Sequence, residues 1–141
     1  MKNKLLSFLK AVFGHKKIRV DGRQQDYAAT DYIQHRLDLY MVEMRPFLQP
    51  HYTIKQLAGA IRIPSYQLSA IINQRKGMNF TDYLNKLRIQ YCEDLIRIEG
   101  GKKINLGQLA SRCGFRNRNT FVHAFRKFTG LTPSEYVRQM P

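Results

Sequence analysis

The chain has 141 residues, with 24 Lys plus Arg against 10 Asp plus Glu, a formal net charge of +14 and 43% hydrophobic residues. That length suffices for one ordinary domain or two small lobes, and the apolar share suffices for a packed core. A charge of this sign and size points to a polyanion, nucleic acid first and an acidic membrane surface second, and no run of 18 apolar residues encodes a membrane span.

The charge is uneven along the chain. Residues 1–29 hold seven bases and two acids, residues 30–99 nine and seven, and residues 100–141 eight and one. The basic character therefore sits at the two ends. Cys92 and Cys113 are the only thiols, and their separation suggests a reducing compartment, a cytoplasmic setting and no disulfide.

Residues 1–13, MKNKLLSFLKAVF, set Leu5, Leu6, Phe8, Leu9, Val12 and Phe13 at helical spacing. Lys10 interrupts the apolar run and no small-residue cleavage site follows, so a signal peptide is a poor reading. A helix packing on a partner, a membrane-surface helix and a remnant of a longer parent all remain open. Residues 15–26, HKKIRVDGRQQD, read as a polar linker with a turn at Asp21 and Gly22. Residues 1–29 are thus expected to be a basic extension, and 30–141 the folded domain.

From Thr30 the pattern becomes regular. Tyr32, Ile33, Leu37, Tyr40, Met41, Met44, Phe47 and Leu48 form an apolar stripe that Pro46 and Pro50 bring to an end. Thr53 with Gln56 is a capping box: the hydroxyl takes an orphan amide of the first turn and the glutamine reaches back. A short helix 54–61 turns Ile54, Leu57, Ala58 and Ile61 inward. Arg62 and Ile63 turn the chain, and a second helix from Pro64 and Ser65 places Leu68, Ile71 and Ile72 inward until Gly77. Residues 80–98 make one long helix with Phe80, Tyr83, Leu84, Leu87, Tyr91, Leu95 and Ile96 at a period of about 3.6.

Gly100 and Gly101 break that helix, and the earlier pattern returns. Asn105 with Gln108 resembles a second capping box, Leu106, Leu109 and Ala110 face inward, and Cys113, Gly114 and Phe115 turn. A helix from about Asn117 buries Phe121, Ala124, Phe125 and Phe128. Thr132, Pro133 and Glu135 then combine an N-cap, a proline at the first helical position and a glutamate at the third. The same unit therefore occurs twice, at 53–77 and 105–130, with a linker helix at 80–98 between.

The stretch QLASRCGFRNRNTFVHAFRKFTGLTPSEYVR, 108–138, resembles the second helix-turn-helix of AraC/XylS-type transcription regulators. The stretch IKQLAGAIRIPSYQLSAIINQRKGMNFTDYLNKLRI, 54–89, is similar to the first. The likeness covers about 53–139 and rests on Gly114, Phe115, Phe121, Phe125, Thr129, Gly130, Thr132, Pro133 and Tyr136. It implies an all-α module, two helix-turn-helix subdomains joined by a long linker helix, whose two recognition helices enter successive major grooves on one face of double-stranded DNA. It also implies transcription regulation, often beside a separate sensor domain, with RNA polymerase as a partner and no cofactor. Arg62 departs from the family pattern, which favours glycine there. The first turn must then avoid positive φ or carry strain. Ser69 and Ala70 stand where the family reads bases, so the first helix is expected to read weakly.

On the second recognition helix, Arg118, Asn119, Val122, His123 and Arg126 fall opposite the phenylalanine stripe. Arg118 suits guanine, Asn119 adenine, Val122 a thymine methyl, and His123 completes the reading face. Arg116, Asn117, Thr120, Arg126 and Lys127 are expected on phosphates. On the first, Tyr66, Gln67, Ser69 and Asn73 are the candidate readers, with Ser65, Arg75, Lys76 and Lys86 on phosphates. Tyr66 is read either as a reader or as half-core, and Ser65 either as a phosphate contact or as helix-start chemistry.

Three rival readings accompany this one. An enzyme is not expected: Cys113 has no acid–base partner at recognisable spacing, the four histidines share no metal-ligand spacing with either thiol, and no phosphate-cradling glycine loop occurs. Residues 1–20 form the candidate contact with a sensor domain or a membrane surface, which would make the chain the output module of a longer or membrane-associated sensor. A weakly specific architectural DNA-binding protein is disfavoured by the amides on both helices, since a pure phosphate binder needs only bases.

Overall fold

The computed structural model describes residues 22–100 and 104–141. The roles considered for residues 1–20 lie outside the described residues. Tyr32–Pro141 form one compact unit. Among the described residues all regular structure is helical.

The first helix, α1, runs Gly22–Met44. Residues 22–26 are therefore helical, where the sequence suggested linker; the Thr30 hydroxyl donates to the Asp26 carbonyl oxygen at 2.8 Å, one turn back within the same helix. Leu37 and Met41 are buried, with Ile33 and Tyr40 packed at the edge of the core. Tyr32 and Met44, expected on the same stripe, are 45% and 64% exposed. Arg45 ends α1 in the left-handed region at φ 46°, and Pro46–Leu48 form a short 3-10 helix.

The first reading unit consists of α2, Ile54–Ile61, and α3, Ser65–Lys76. The capping box at the start of α2 is complete: the Gln56 N–H donates to Thr53 Oγ1 at 3.2 Å and the Thr53 N–H to Gln56 Oε1 at 2.8 Å. Arg62 caps the end of α2 at φ 59°, so the turn takes the strained branch of the expectation rather than avoiding it. Leu57, Ala58, Ile61, Leu68 and Ile72 close a core with Leu37, Met41 and Phe47.

The linker helix α4 spans Phe80–Glu99, roughly 30 Å at 1.5 Å per residue. Asn79 caps it by accepting from the Asp82 N–H at 2.9 Å. Tyr83 and Leu84 complete the first core, whereas Ile89, Cys92 and Ile96 belong to the second. Tyr91 packs against both.

The second unit repeats the plan with α5, Leu106–Arg112, and α6, Arg118–Thr129, and α7, Pro133–Gln139, closes the chain. Asn105 accepts from the Gln108 N–H at 3.0 Å, but α5 lacks the return bond of a full capping box, which Thr53 with Gln56 and Thr132 with Glu135 both make. In both complete boxes the threonine hydroxyl also donates to the returning side chain, Thr53 to Gln56 Oε1 at 3.1 Å and Thr132 to Glu135 Oε2 at 2.9 Å. The second core gathers Leu109, Ala110, Cys113, Phe115, Phe121, Ala124 and Phe125 around α4. Cys92 and Cys113 are both free and buried in it. They are distant in sequence yet share this core; the Cys113 thiol as a hydrogen-bonding neighbour, with burial, raises the Cys92 pKa above the ordinary thiol range.

Candidate nucleic-acid interface

The face of α6 follows from its anchoring. Asn117 Oδ1 accepts the Thr120 N–H at 2.8 Å and starts the helix, and Gly130 at φ 78° ends it. Rings fix its inner side: Phe121 meets Phe115 and Phe125 with centroids 5.4 and 5.7 Å apart, and Phe125 meets Tyr136 edge-on at 5.3 Å. With Phe121, Ala124 and Phe125 buried, the helical period turns Arg118, Asn119, His123 and Arg126 outward, and all four are exposed, as are Arg116, Asn117 and Thr120.

Three residues of this set also make contacts within the protein. Val122 is half-buried against the second core, because position 122 borders the Phe121 and Phe125 stripe. Lys127 donates to Asp82 at the start of the linker helix, at 2.7 Å. Its charge is therefore held by the protein, and it ties the end of α6 to α4. Asn117 likewise has a structural task, its side-chain oxygen being occupied by the cap.

The face of α3 is more modest. Tyr66 is 79% exposed, which resolves its ambiguity against the core. Ala70, Asn73, Gln74 and Arg75 are exposed, whereas Ser65, Gln67 and Ser69 are half-buried. Asn73 turns one amide proton back on its own helix, donating to the Ser69 carbonyl at 2.9 Å. Ser65 is the first helical residue after Pro64, and no side chain caps this helix. Lys76 donates to Asp38 of α1 at 2.7 Å and lies 5.7 Å from the Tyr83 ring, so it is a strut between helices rather than an unengaged cation. The Asp38 charge and burial together raise the Tyr83 pKa, burial being the larger cause. Lys86 on α4 is exposed.

The most connected cation was absent from the sequence reading. Arg88 of α4 is only 8% exposed. Its Nε donates to the Phe47 carbonyl at 2.6 Å, Nη2 to the Gln49 carbonyl at 2.9 Å and Nη1 to Asn85 Oδ1 at 3.1 Å. Its guanidinium carbon lies 5.6 Å from the centroid of Phe115. Burial pulls its pKa down, and three acceptors compensate the lost water. A signal was present: Arg88 occupies the line of Leu84 and Cys92, four residues from each, where an apolar residue belongs.

Known proteins resemble this chain over most of its described residues. The family model described as Helix-turn-helix domain matches residues 57–139. The HTH-type transcriptional activator RhaR of Yersinia pseudotuberculosis is 27% identical over 101 residues, 72% of this chain and 34% of that protein. Its counterpart in Cronobacter sakazakii is 29% identical over 103 residues, 73% and 35% respectively. The chain thus spans about a third of the length of these relatives. Among solved structures, the C-terminal domain of AraT, a response regulator from Geobacillus stearothermophilus, superposes with a TM-score of 0.65 at 26% identity, covering 77% of this chain and 87% of that one.

Proposed function

The chain belongs to the helix-turn-helix domain family in its AraC/XylS form, a DNA-binding and transcription-regulating type, and from that membership we propose that α6 reads base edges in one major groove while α3 sits in the next. The observation that carries this is the composition of the exposed side of α6. Arg118, Asn119 and His123 offer donors and an amide at one to two turns' reach, opposite a side locked by Phe121 and Phe125. Guanine and adenine edges in the major groove present the matching acceptors. Arg116, Thr120 and Arg126 flank the readers and suit phosphate.

On α3, Tyr66 and Gln67 are the readers, with Asn73 secondary and Arg75 and Lys86 toward phosphate. A rod of roughly 30 Å suits major-groove half-sites that recur on one duplex face about every 34 Å. The weaker donor set of α3 makes it the junior partner. Regulation runs toward activation, a reading supported by the word activator in the names of the relatives, and the family resemblance implies RNA polymerase as the partner.

Selection of bound duplexes from a random double-stranded pool tests the proposal. The expected product is a two-part site with its better-defined half under α6. Enrichment of no motif at fixed salt would leave only sequence-independent binding.

A further inference from the structure

The two readers are joined by more than the linker helix. A helix is stiff along its length, but a body attached to one side of it can still roll about the axis. Stopping that roll takes a second contact away from the rod. The structure has one, built on the 3-10 segment Pro46–Leu48, which belongs to the first core through Phe47.

Three groups converge there. Gly114, the turn of the second unit, comes so close to the backbone of Phe47 and Leu48 that an added Cβ would lie 2.5 Å from the Phe47 carbonyl oxygen. Arg88 donates to that same oxygen and to the Gln49 carbonyl, while its guanidinium carbon lies over the ring of Phe115, next to Gly114, 5.6 Å from the centroid. Tyr91, one turn further along α4, meets Phe47 edge-on at 6.3 Å. Arg88 is the one side chain among these that bonds the first unit's backbone and packs on the second unit's turn at once.

We propose that Arg88 is a positioning residue that fixes the angle between the two readers and so sets the half-site spacing the protein accepts. The proposal rests on the two-groove reading above. Each inserted base pair rotates one half-site about 35° around the duplex, so a clamped pair of readers must lose one contact where an unclamped pair can roll to follow. A residue that merely supported the fold would lower affinity at every spacing alike.

The test uses the full chain and duplexes carrying both selected half-sites, at their native separation or with one or two base pairs inserted, and a duplex carrying only the half-site of α6. The unmodified protein is expected to lose on the order of a hundredfold in affinity on insertion, since avidity vanishes when geometry forbids simultaneous engagement. Arg88→Met, which keeps the length and packs on Phe115 but donates nothing, should lose only on the order of tenfold on insertion, because Gly114 and Tyr91 still meet the Phe47 segment, and match the unmodified protein on the single half-site. An insertion penalty in Arg88→Met equal to that of the unmodified protein overturns the proposal. If Arg88→Met fails to fold, Arg88→Lys decides, because it retains charge and stem but cannot reach both carbonyls; an intermediate penalty supports the clamp and an unchanged one removes it. A chain that selects no two-part site at all refutes the two-groove reading itself, and the clamp's role in spacing with it.

Discussion

A methyl group placed on Gly114 would stand 2.5 Å from the carbonyl oxygen of Phe47 and 2.9 Å from the Cα of Leu48. Both neighbours are backbone, and neither can swing aside. Gly114 also sits at φ 88°, where an L side chain is strained. Gly114→Ala should therefore lose about 2–4 kcal/mol from the two effects together. Urea unfolding reads this as a lower midpoint at unchanged slope. A loss within ~0.5 kcal/mol, the range of an ordinary surface substitution, would mean that the second turn does not depend on this contact.

Arg62 poses the opposite case at the equivalent turn. It holds φ 59° with an exposed side chain, and its backbone N–H bonds to the Ala58 and Gly59 carbonyls. Glycine keeps those bonds and relieves the left-handed strain. Arg62→Gly is expected to gain about 1 kcal/mol in the same unfolding experiment. A net loss would show that the arginine side chain contributes more than its backbone costs.

Arg118 and Arg126 are both exposed on α6 but have different expected tasks. Arg118→Ala should cost ~1–3 kcal/mol on the selected site and relax preference at one base pair. Arg126→Ala should weaken selected and scrambled duplexes alike and flatten the salt dependence by about one unit of slope. Equal losses on both duplexes for Arg118→Ala would mean that it touches no base.

Lys127 and Lys76 are ion-paired to Asp82 and Asp38, each at 2.7 Å. Part of each charge is already neutralised within the protein. Lys127→Met and Lys76→Met should change the salt slope of DNA binding by much less than ~1, unlike Arg126→Ala. Because these pairs are partly exposed, the stability lost should stay below ~1 kcal/mol. A full unit of slope lost in either variant would restore that lysine to the phosphate contacts.

Glu135 receives the Thr132 backbone N–H at 2.7 Å and the Thr132 hydroxyl at 2.9 Å. These bonds favour the carboxylate and hold its pKa below the ordinary glutamate range. The sign follows: a folded pKa below the unfolded one adds stability that is fully present above the unfolded value and is lost as pH falls through the folded value. The start of α7 should therefore loosen in acid. The Thr132 amide resonance should titrate with a midpoint below the usual glutamate value, and Glu135→Gln should abolish the step. A midpoint at the ordinary value would mean the capping box does not hold in solution.

Much of this molecule is written in short windows. Thr53 with Gln56, Thr132 with Glu135, and the stripe of Phe121, Ala124 and Phe125 involve residues three or four apart. Caps and apolar faces arise within a single helical turn or two, so they can be read from the chain alone. That reading yielded two repeated units, a linker helix and the outward donors of α6. What it missed depends on partners some forty positions away. Arg88 reaches Phe47 and Gln49, Lys76 reaches Asp38, and Lys127 reaches Asp82. In each case the sequence shows a cation, and only packing decides whether it meets a carbonyl, a carboxylate or solvent. Periodicity tells which way a side chain points from its own helix; what it points at is settled when the helices come together.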